Sequence, residues 1–186
     1  MPLKLENLDF RFENSLARIV ANRNHPEIKL AGLTVGPLQE GNEYEVYHWI
    51  AQELVEAGIA HFREDDSLDG KLNKIHFTEL IQVPRQISEI PEDFYSKLRR
   101  YLADMKKETT KQPIQPEKVE DFEKAKQLAR DIVNSRLRKI VALSSGTIQG
   151  DQVVRKLAPE EKLVYEQLSR IISQWRTQIL EYETEG

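Results

Sequence analysis

The stretch EYEVYHWIAQELVEAGIA, residues 43–60, changes period in mid-phrase. Its first residues alternate, with Tyr44 and Val46 on one side and Glu43 and Glu45 on the other, which is the two-residue period of a half-buried strand. From Tyr47 onward the spacing lengthens, and Trp49, Ile50, Leu54 and Ala57 recur at helical intervals. Gly58 follows as a helix stop, because glycine enters the left-handed conformation that closes helices at little steric cost. Residues 59–62 return to strand character. Strand, short helix and strand in so short a span predict a small module, with Tyr44, Val46, Trp49, Ile50 and Leu54 as its core or docking face.

Working outward, ARIVANR (17–23) and EIKLAGLTV (27–35) are rich in β-branched and apolar residues and flank the turn cluster NRNHP. They predict a hairpin pair. QEGN (39–42) supplies Gly41 and Asn42 for the turn into the strand at 43. On the other side, REDDSLDGK (63–71) is polar and contains Gly70, which sets a domain boundary. The expected division is a small β-rich docking domain over 1–66 and a helical assembly domain over 67–186. Charge divides the same way: residues 1–66 carry 6 basic and 12 acidic side chains, the rest 21 and 19. The predicted class is α+β, a small N-terminal β-rich domain with one short helix followed by a larger all-α helical bundle.

Everything past the boundary has helical period. KIHFTELIQVP (74–84) is a short amphipathic segment ending near Pro84. IPEDFYSKLRRYLADMKKE (90–108) opens with Pro91, Glu92 and Asp93, which suit the first turn of a helix, and places Phe94, Leu98, Tyr101, Leu102 and Met105 on one face. The polar TTKQPIQP (109–116) connects it to the longest helix, about 116–143, whose stripe runs through Val119, Phe122, Ala125, Ala129, Ile132, Val133, Leu137 and Ile140. SSGTIQGDQ (144–152) is a loop. The final helix starts at Pro159 with Glu160 and Glu161, and carries a broad face of Val164, Leu168, Ile171, Ile172, Trp175, Ile179 and Tyr182.

Composition excludes several function classes. The 186 residues, 39% hydrophobic and 31% charged with net charge -4, suit a globular chain that buries roughly 70% of its unfolded surface. With no cysteine, disulfides, thiol catalysis and Cys-ligated metals are ruled out. No apolar run is membrane-length and MPLKLENLDF does not read as a signal peptide, so the expected location is cytoplasmic. Phosphate-cradling, dinucleotide, nucleophile-elbow and HExxH motifs are lacking. His25, His48, His61 and His76 are scattered without metal-ligand spacing, and no cofactor or metal is expected. The acidic pairs Glu92-Asp93 and Glu160-Glu161 sit where helix starts favour negative charge. Arg130, Arg136, Arg138 and Lys139 make part of the long helix basic, so a stand-alone nucleic-acid-binding protein is the alternative reading. The surrounding carboxylates and the absence of an aromatic-basic interleave make a solvated helix face the default.

Two features point to assembly. Arg136 falls within an apolar stripe. Either it pairs with a carboxylate or carbonyl, on this chain or another subunit, or its stem packs and its head reaches water. The face around Trp175, with Leu163 and Leu180 outside it, holds more apolar surface than one neighbouring helix covers.

The segments GPLQEGNEYEVYHWIAQELVEAGIA (36–60), IPEDFYSKLRRYL (90–102), SRLRKIVAL (135–143) and LAPEEKLVYEQLSRIISQWR (157–176) together resemble a subunit of the GINS complex, especially the short archaeal forms. The resemblance spans about residues 28–182 and is one of pattern, without a catalytic signature. It implies a non-enzymatic scaffold of DNA replication that forms a tetramer with other GINS subunits and binds the MCM helicase and a Cdc45 or RecJ-like partner, in the cytoplasm at the nucleoid. It also implies an assembly surface on Arg136, Leu137, Ile140, Val164, Leu168, Ile171, Trp175 and Ile179. The remaining basic residues, Arg130, Arg138 and Lys139, are the candidates for nucleic-acid contact. A small domain placed first matches one of the two archaeal classes, whereas SRLRKIVAL followed by LAPEEKLVYEQL resembles the class that places it last.

Overall fold

The structure, a computed structural model, describes residues 6–30, 32–63, 68, 70–81, 86–146 and 151–180. The chain forms two compact units, Leu5–Asp69 and Gly70–Gly186.

The first unit contains α1 (Glu6–Glu13), β1 (Leu16–Ala21), β2 (Ile28–Leu30), β3 (Leu33–Val35), β4 (Glu43–Tyr47), α2 (His48–Glu56) and β5 (Ala60–Phe62). β1 is the centre of an antiparallel sheet in the order β4-β1-β5, with Ala17 opposite Val46 and Ile19 opposite Phe62. Alternation makes one face apolar: Ala17, Ile19, Ala21, Val46 and Ala60 pack with Ile50, Ala51 and Leu54 of α2. α2 ends as its glycine predicts. Gly58 has φ 68, its N–H donates to the Val55 carbonyl at 3.0 Å, and the Ile59 N–H donates to Leu54 at 2.9 Å, closing the helix while Leu54 and Ile59 join one core.

Two local expectations are corrected here. The segments 17–23 and 27–35 do not pair with each other. Residues 28–35 fold back on themselves as β2 and β3, with Ile28 opposite Val35, because Gly32 adopts φ 91 and reverses the chain inside what reads as one strand. The unit has a second helix, α1, whose eight residues ENLDFRFE bury only Phe12 and so lack an apolar period. The buried face of α2 is His48, Ile50, Ala51 and Leu54, which turns Trp49 outward.

The second unit contains α3 (Lys71–Ile81), α4 (Phe94–Thr109), α5 (Pro116–Ser144), α6 (Asp151–Arg155) and α7 (Pro159–Leu180). At 29 residues, α5 is roughly 43 Å long, and α3, α4 and α7 all pack on it. Its buried positions Ala125, Ala129, Ile132, Arg136, Lys139, Ile140 and Leu143 follow the helical period. Phe94 and Leu98 of α4 are buried, and Ile140 and Leu143 form a cluster with Ile87 and Leu157 that Val164 and Leu168 of α7 partly cover. α4 begins later than Pro91 suggests. Asp93 is its N-cap, and Pro91 belongs to a preceding turn in which the Phe94 N–H donates to the Pro91 carbonyl at 3.0 Å. α6 occupies the end of the expected loop at 144–152. Pro84 and Tyr182 lie outside the described residues.

Candidate assembly surface

α7 starts inside the bundle and ends outside it. Pro159 opens the helix, and Glu161 reaches back to accept the N–H of Ala158 at 2.9 Å, one half of a capping box. The same carboxylate receives both sides of the Arg136 guanidinium: Nε donates to Oε1, and Nη2 donates to Oε2 at 2.8 Å. Tyr95 of α4 donates its hydroxyl to Glu161 Oε1 at 2.7 Å. Through Nη1, Arg136 also donates to Glu79 Oε1 at 2.8 Å and to the Ser88 carbonyl at 3.0 Å. Lys139 donates to the other Glu79 oxygen at 2.6 Å, and the Ser88 hydroxyl donates to Glu79 Oε1.

This cluster holds two cations and two anions, all four buried, so its formal charge cancels. Burial pushes the Glu79 carboxyl up, but hydrogen bonds from Lys139 and Ser88 and the charge of Arg136 outweigh it and hold the group below the usual carboxylate range. Burial and the adjacent Glu161 charge push the Tyr95 phenol up. Burial opposes the charge on Arg136, yet its bonds and attraction to Glu161 prevail and raise its pKa. All three remain in their ordinary ionisation states near neutral pH, and the cluster ties α3, α4, α5 and α7 together at one level.

Beyond that anchor the packing thins. Every residue over 173–180 is exposed, although the segment is helical and includes Trp175, Ile179 and Leu180. Ile171, Trp175 and Ile179 are 60%, 59% and 59% exposed and lie four residues apart, a ridge of the kind that packs into a groove on another helix. α5 presents a comparable ridge in Val133, Leu137 and Val141, and α3 exposes Phe77, Leu80 and Ile81. Exposed apolar residues are ordinary singly; repeated ridges of them make these faces the candidate for an interaction surface.

Residues 49–180, from α2 to the end of α7, match the family model for the Sld5 GINS complex protein helical bundle domain. The chain belongs to the GINS complex family. No curated protein matches it. The match runs through all five helices of the second unit and makes this chain a GINS replication-complex protein.

Within this GINS chain the sequence-predicted interface residues separate into layers. Leu137, Ile171, Trp175 and Ile179 are exposed, Val164 and Leu168 are half-buried against the α5 cluster, and Ile140 and Arg136 are interior. The partners of Arg136 are on its own chain, Glu79 on α3, Ser88 ahead of α4 and Glu161 on α7, so of the alternatives the sequence left open it is the pairing within this chain that forms. Lys139 is also interior and bound to Glu79, so of the basic set only Arg130 and Arg138 face solvent. It is buried because it lies three residues from Arg136, on the same side of α5. In the small unit, Val46, Ile50 and Leu54 are core, Tyr44 is half-buried, and Trp49 is 37% exposed.

Sequence reasoning misses Glu79, Tyr95 and Ser88, which lie far from Arg136 along the chain; the unpaired arginine in an apolar stripe is the one signal that such partners exist. It also gives Glu161 only a role at the helix start, when the same carboxylate serves both. The histidines remain apart. His25 Nδ1 lies 2.9 Å from the Pro26 carbonyl, His61 Nδ1 lies 2.5 Å from Asn22 Oδ1, His76 lies 3.6 Å from Asp131, and His48 stacks on Phe62 with Phe12 tilted against it. Among the described residues no acidic or histidine cluster forms a metal site, and no helix is long and apolar enough to cross a membrane.

Proposed function

We propose that this GINS chain is a non-enzymatic assembly subunit of archaeal type, joined to other GINS subunits in a tetramer through its second unit. The observation that carries this reading is the distal part of α7, a helical segment exposed throughout 173–180 that displays Trp175 and Ile179, with Arg176 donating to the Ser145 carbonyl at 2.8 Å. A short isolated helix is marginal in water, so an apolar ridge on such a segment gains most of its stability from a partner. Tryptophan at the centre of a ridge is a typical binding hot spot. Leu137 on the ridge of α5 is the second contact.

In the replicative helicase the assembly acts as a scaffold and activator between the MCM ring and a Cdc45 or RecJ-like protein, in the cytoplasm at the nucleoid. The small unit is the docking module. Its interior residues Val46, Ile50 and Leu54 shape it, and Trp49 is the docking residue, since it is held by a buried helix and turned to solvent. Arg130 and Arg138 contribute at most a weak DNA contact.

Affinity purification of the tagged chain from nuclease-treated lysate of its source, read by mass spectrometry and by the mass of the recovered complex, tests this. Near-equal recovery of a second small helical protein, with helicase subunits, is expected. A chain that remains a stable monomer without partners overturns it.

A further inference from the structure

The groove between α4 and α5 has a chemistry of its own. It encloses a hollow of about 330 Å³. Its floor is apolar: Leu98 and Ala129 are buried, Leu102 is half-buried, and Val133 is exposed at one side. Its rim is cationic, formed by Arg99 on one helix and Lys126 and Arg130 on the other, and no carboxylate lines it. Tyr95, the aromatic residue of the lining, is tied to Glu161 by its hydroxyl and fixes one wall.

The rim cations differ in how they are held within the chain. Arg99 donates to Ser96 Oγ at 3.1 Å and lies 3.8 Å from Glu160. Lys126 lies 3.3 Å from Glu123 and 5.6 Å above the Phe122 ring. The Lys126–Glu123 pair is solvent-exposed, hence weak, and exchanges readily for a better-placed carboxylate, whereas Arg99 faces the buried Glu160 and is the anchored member of the rim. In a chain of net charge -4, a ring of three cations is a local reversal of sign, and it attracts acidic partners selectively.

We infer that this groove docks an acidic amphipathic helical segment of a partner protein. One large apolar side chain enters the hollow over Leu98, Ala129 and Val133, and flanking carboxylates meet Arg99, Lys126 and Arg130. A hollow of this size lies at the lower end of binding pockets and suits one or two side chains. The mode is a helix laid in a groove, read by an apolar anchor with charges to either side. A nucleic-acid strand fits less well, since its phosphates have no use for an apolar floor and its bases stack on exposed aromatic platforms.

The test is selection of dodecapeptides from a random display library on the immobilised full chain, with counter-selection on the double variant Lys126→Glu/Arg130→Glu. Binding of the enriched, fluorescently labelled peptide is then measured by anisotropy. Enriched peptides are expected to be net acidic with one Leu, Phe or Trp, to bind the double variant at least tenfold more weakly, and to lose at least tenfold when that apolar residue becomes Ser. Far-UV circular dichroism checks the fold of the variant. If it is unfolded, Lys126→Gln/Arg130→Gln replaces it, with a smaller loss in the same direction. Peptides without acidic bias, equal binding by the variants, or equally tight binding of a labelled oligothymidine or of polyglutamate overturns the inference.

Discussion

Arg136 on α5 and Glu161 on α7 meet through two hydrogen bonds inside the protein, with Nη2 to Oε2 at 2.8 Å, although 25 residues separate them. Glu161 at the same time caps the helix that displays Trp175, so one carboxylate fixes both the start of α7 and its attachment to the long helix.

Removing one member of this cluster strands the others. Arg136→Met leaves three buried ionisable groups with a net negative charge and is expected to destabilise the chain by about 3–5 kcal/mol. The double variant Arg136→Met/Glu161→Leu leaves Glu79 matched with Lys139 and is expected to be more stable than Arg136→Met alone. Urea denaturation of both variants and the parent checks the order.

The cluster also predicts the pH profile. The folded carboxyl of Glu79 is depressed below its unfolded value near about 4.3, so its contribution is present above that value and is lost as pH falls through the folded pKa. Tyr95 shifts upward, so its contribution is complete below about 10 and declines as pH rises beyond it. Melting temperature against pH is expected to be flat between these limits with respect to both groups, and Tyr95→Phe should flatten the alkaline limb. An alkaline limb unchanged in Tyr95→Phe contradicts the assignment.

In the small unit two glycines separate strain from crowding. Gly58 has φ 68 and open space where a Cβ would go, so Gly58→Ala carries only the left-handed penalty of about 1–2 kcal/mol. Gly36, at φ 95, would bring a Cβ to 3.0 Å from the Leu38 backbone nitrogen, and Gly36→Ala is expected to cost more. Chemical denaturation followed by a small-unit probe, such as Trp49 fluorescence in a Trp175→Phe background, gives the ranking.

Two tryptophans are expected to behave alike in stability and differently from their neighbour. Trp49→Ala and Trp175→Ala should each cost about 1 kcal/mol or less, since both are substantially exposed, whereas Ile50→Ala should cost about 2–5 kcal/mol. Circular-dichroism melts make the comparison. If Trp175 is an assembly hot spot, its variant also loses partner recovery by at least tenfold while its melt is unchanged.

Leu80, Ile81 and Phe77 show where local pattern runs out. They give α3 an apolar face by sequence, yet all three are exposed, while Leu72 and Glu79 of the same helix are buried. The inward face runs through Leu72, Ile75, His76 and Glu79, and Glu79 on it pairs with Arg136 and Lys139, a long-range contact that the local pattern of α3 does not show.

The division between sequence and tertiary structure follows from the range of the forces involved. Helical period, proline at the starts of α5 and α7, and glycine at the end of α2 are local, so the sequence by itself determined that a small strand-rich part with a helix precedes a set of helices led by a long one. Residue types likewise determined that Arg136 needed an explanation. Only the tertiary structure decided that Glu79, Tyr95 and Glu161 supply it, because ion pairs form between groups brought together in space from distant points of the chain. The same holds for the exposed end of α7. A helix writes its apolar stripe into the sequence, but where its neighbours stop covering that stripe depends on their lengths and packing, so only the tertiary structure decided that Ile171, Trp175 and Ile179 stay exposed.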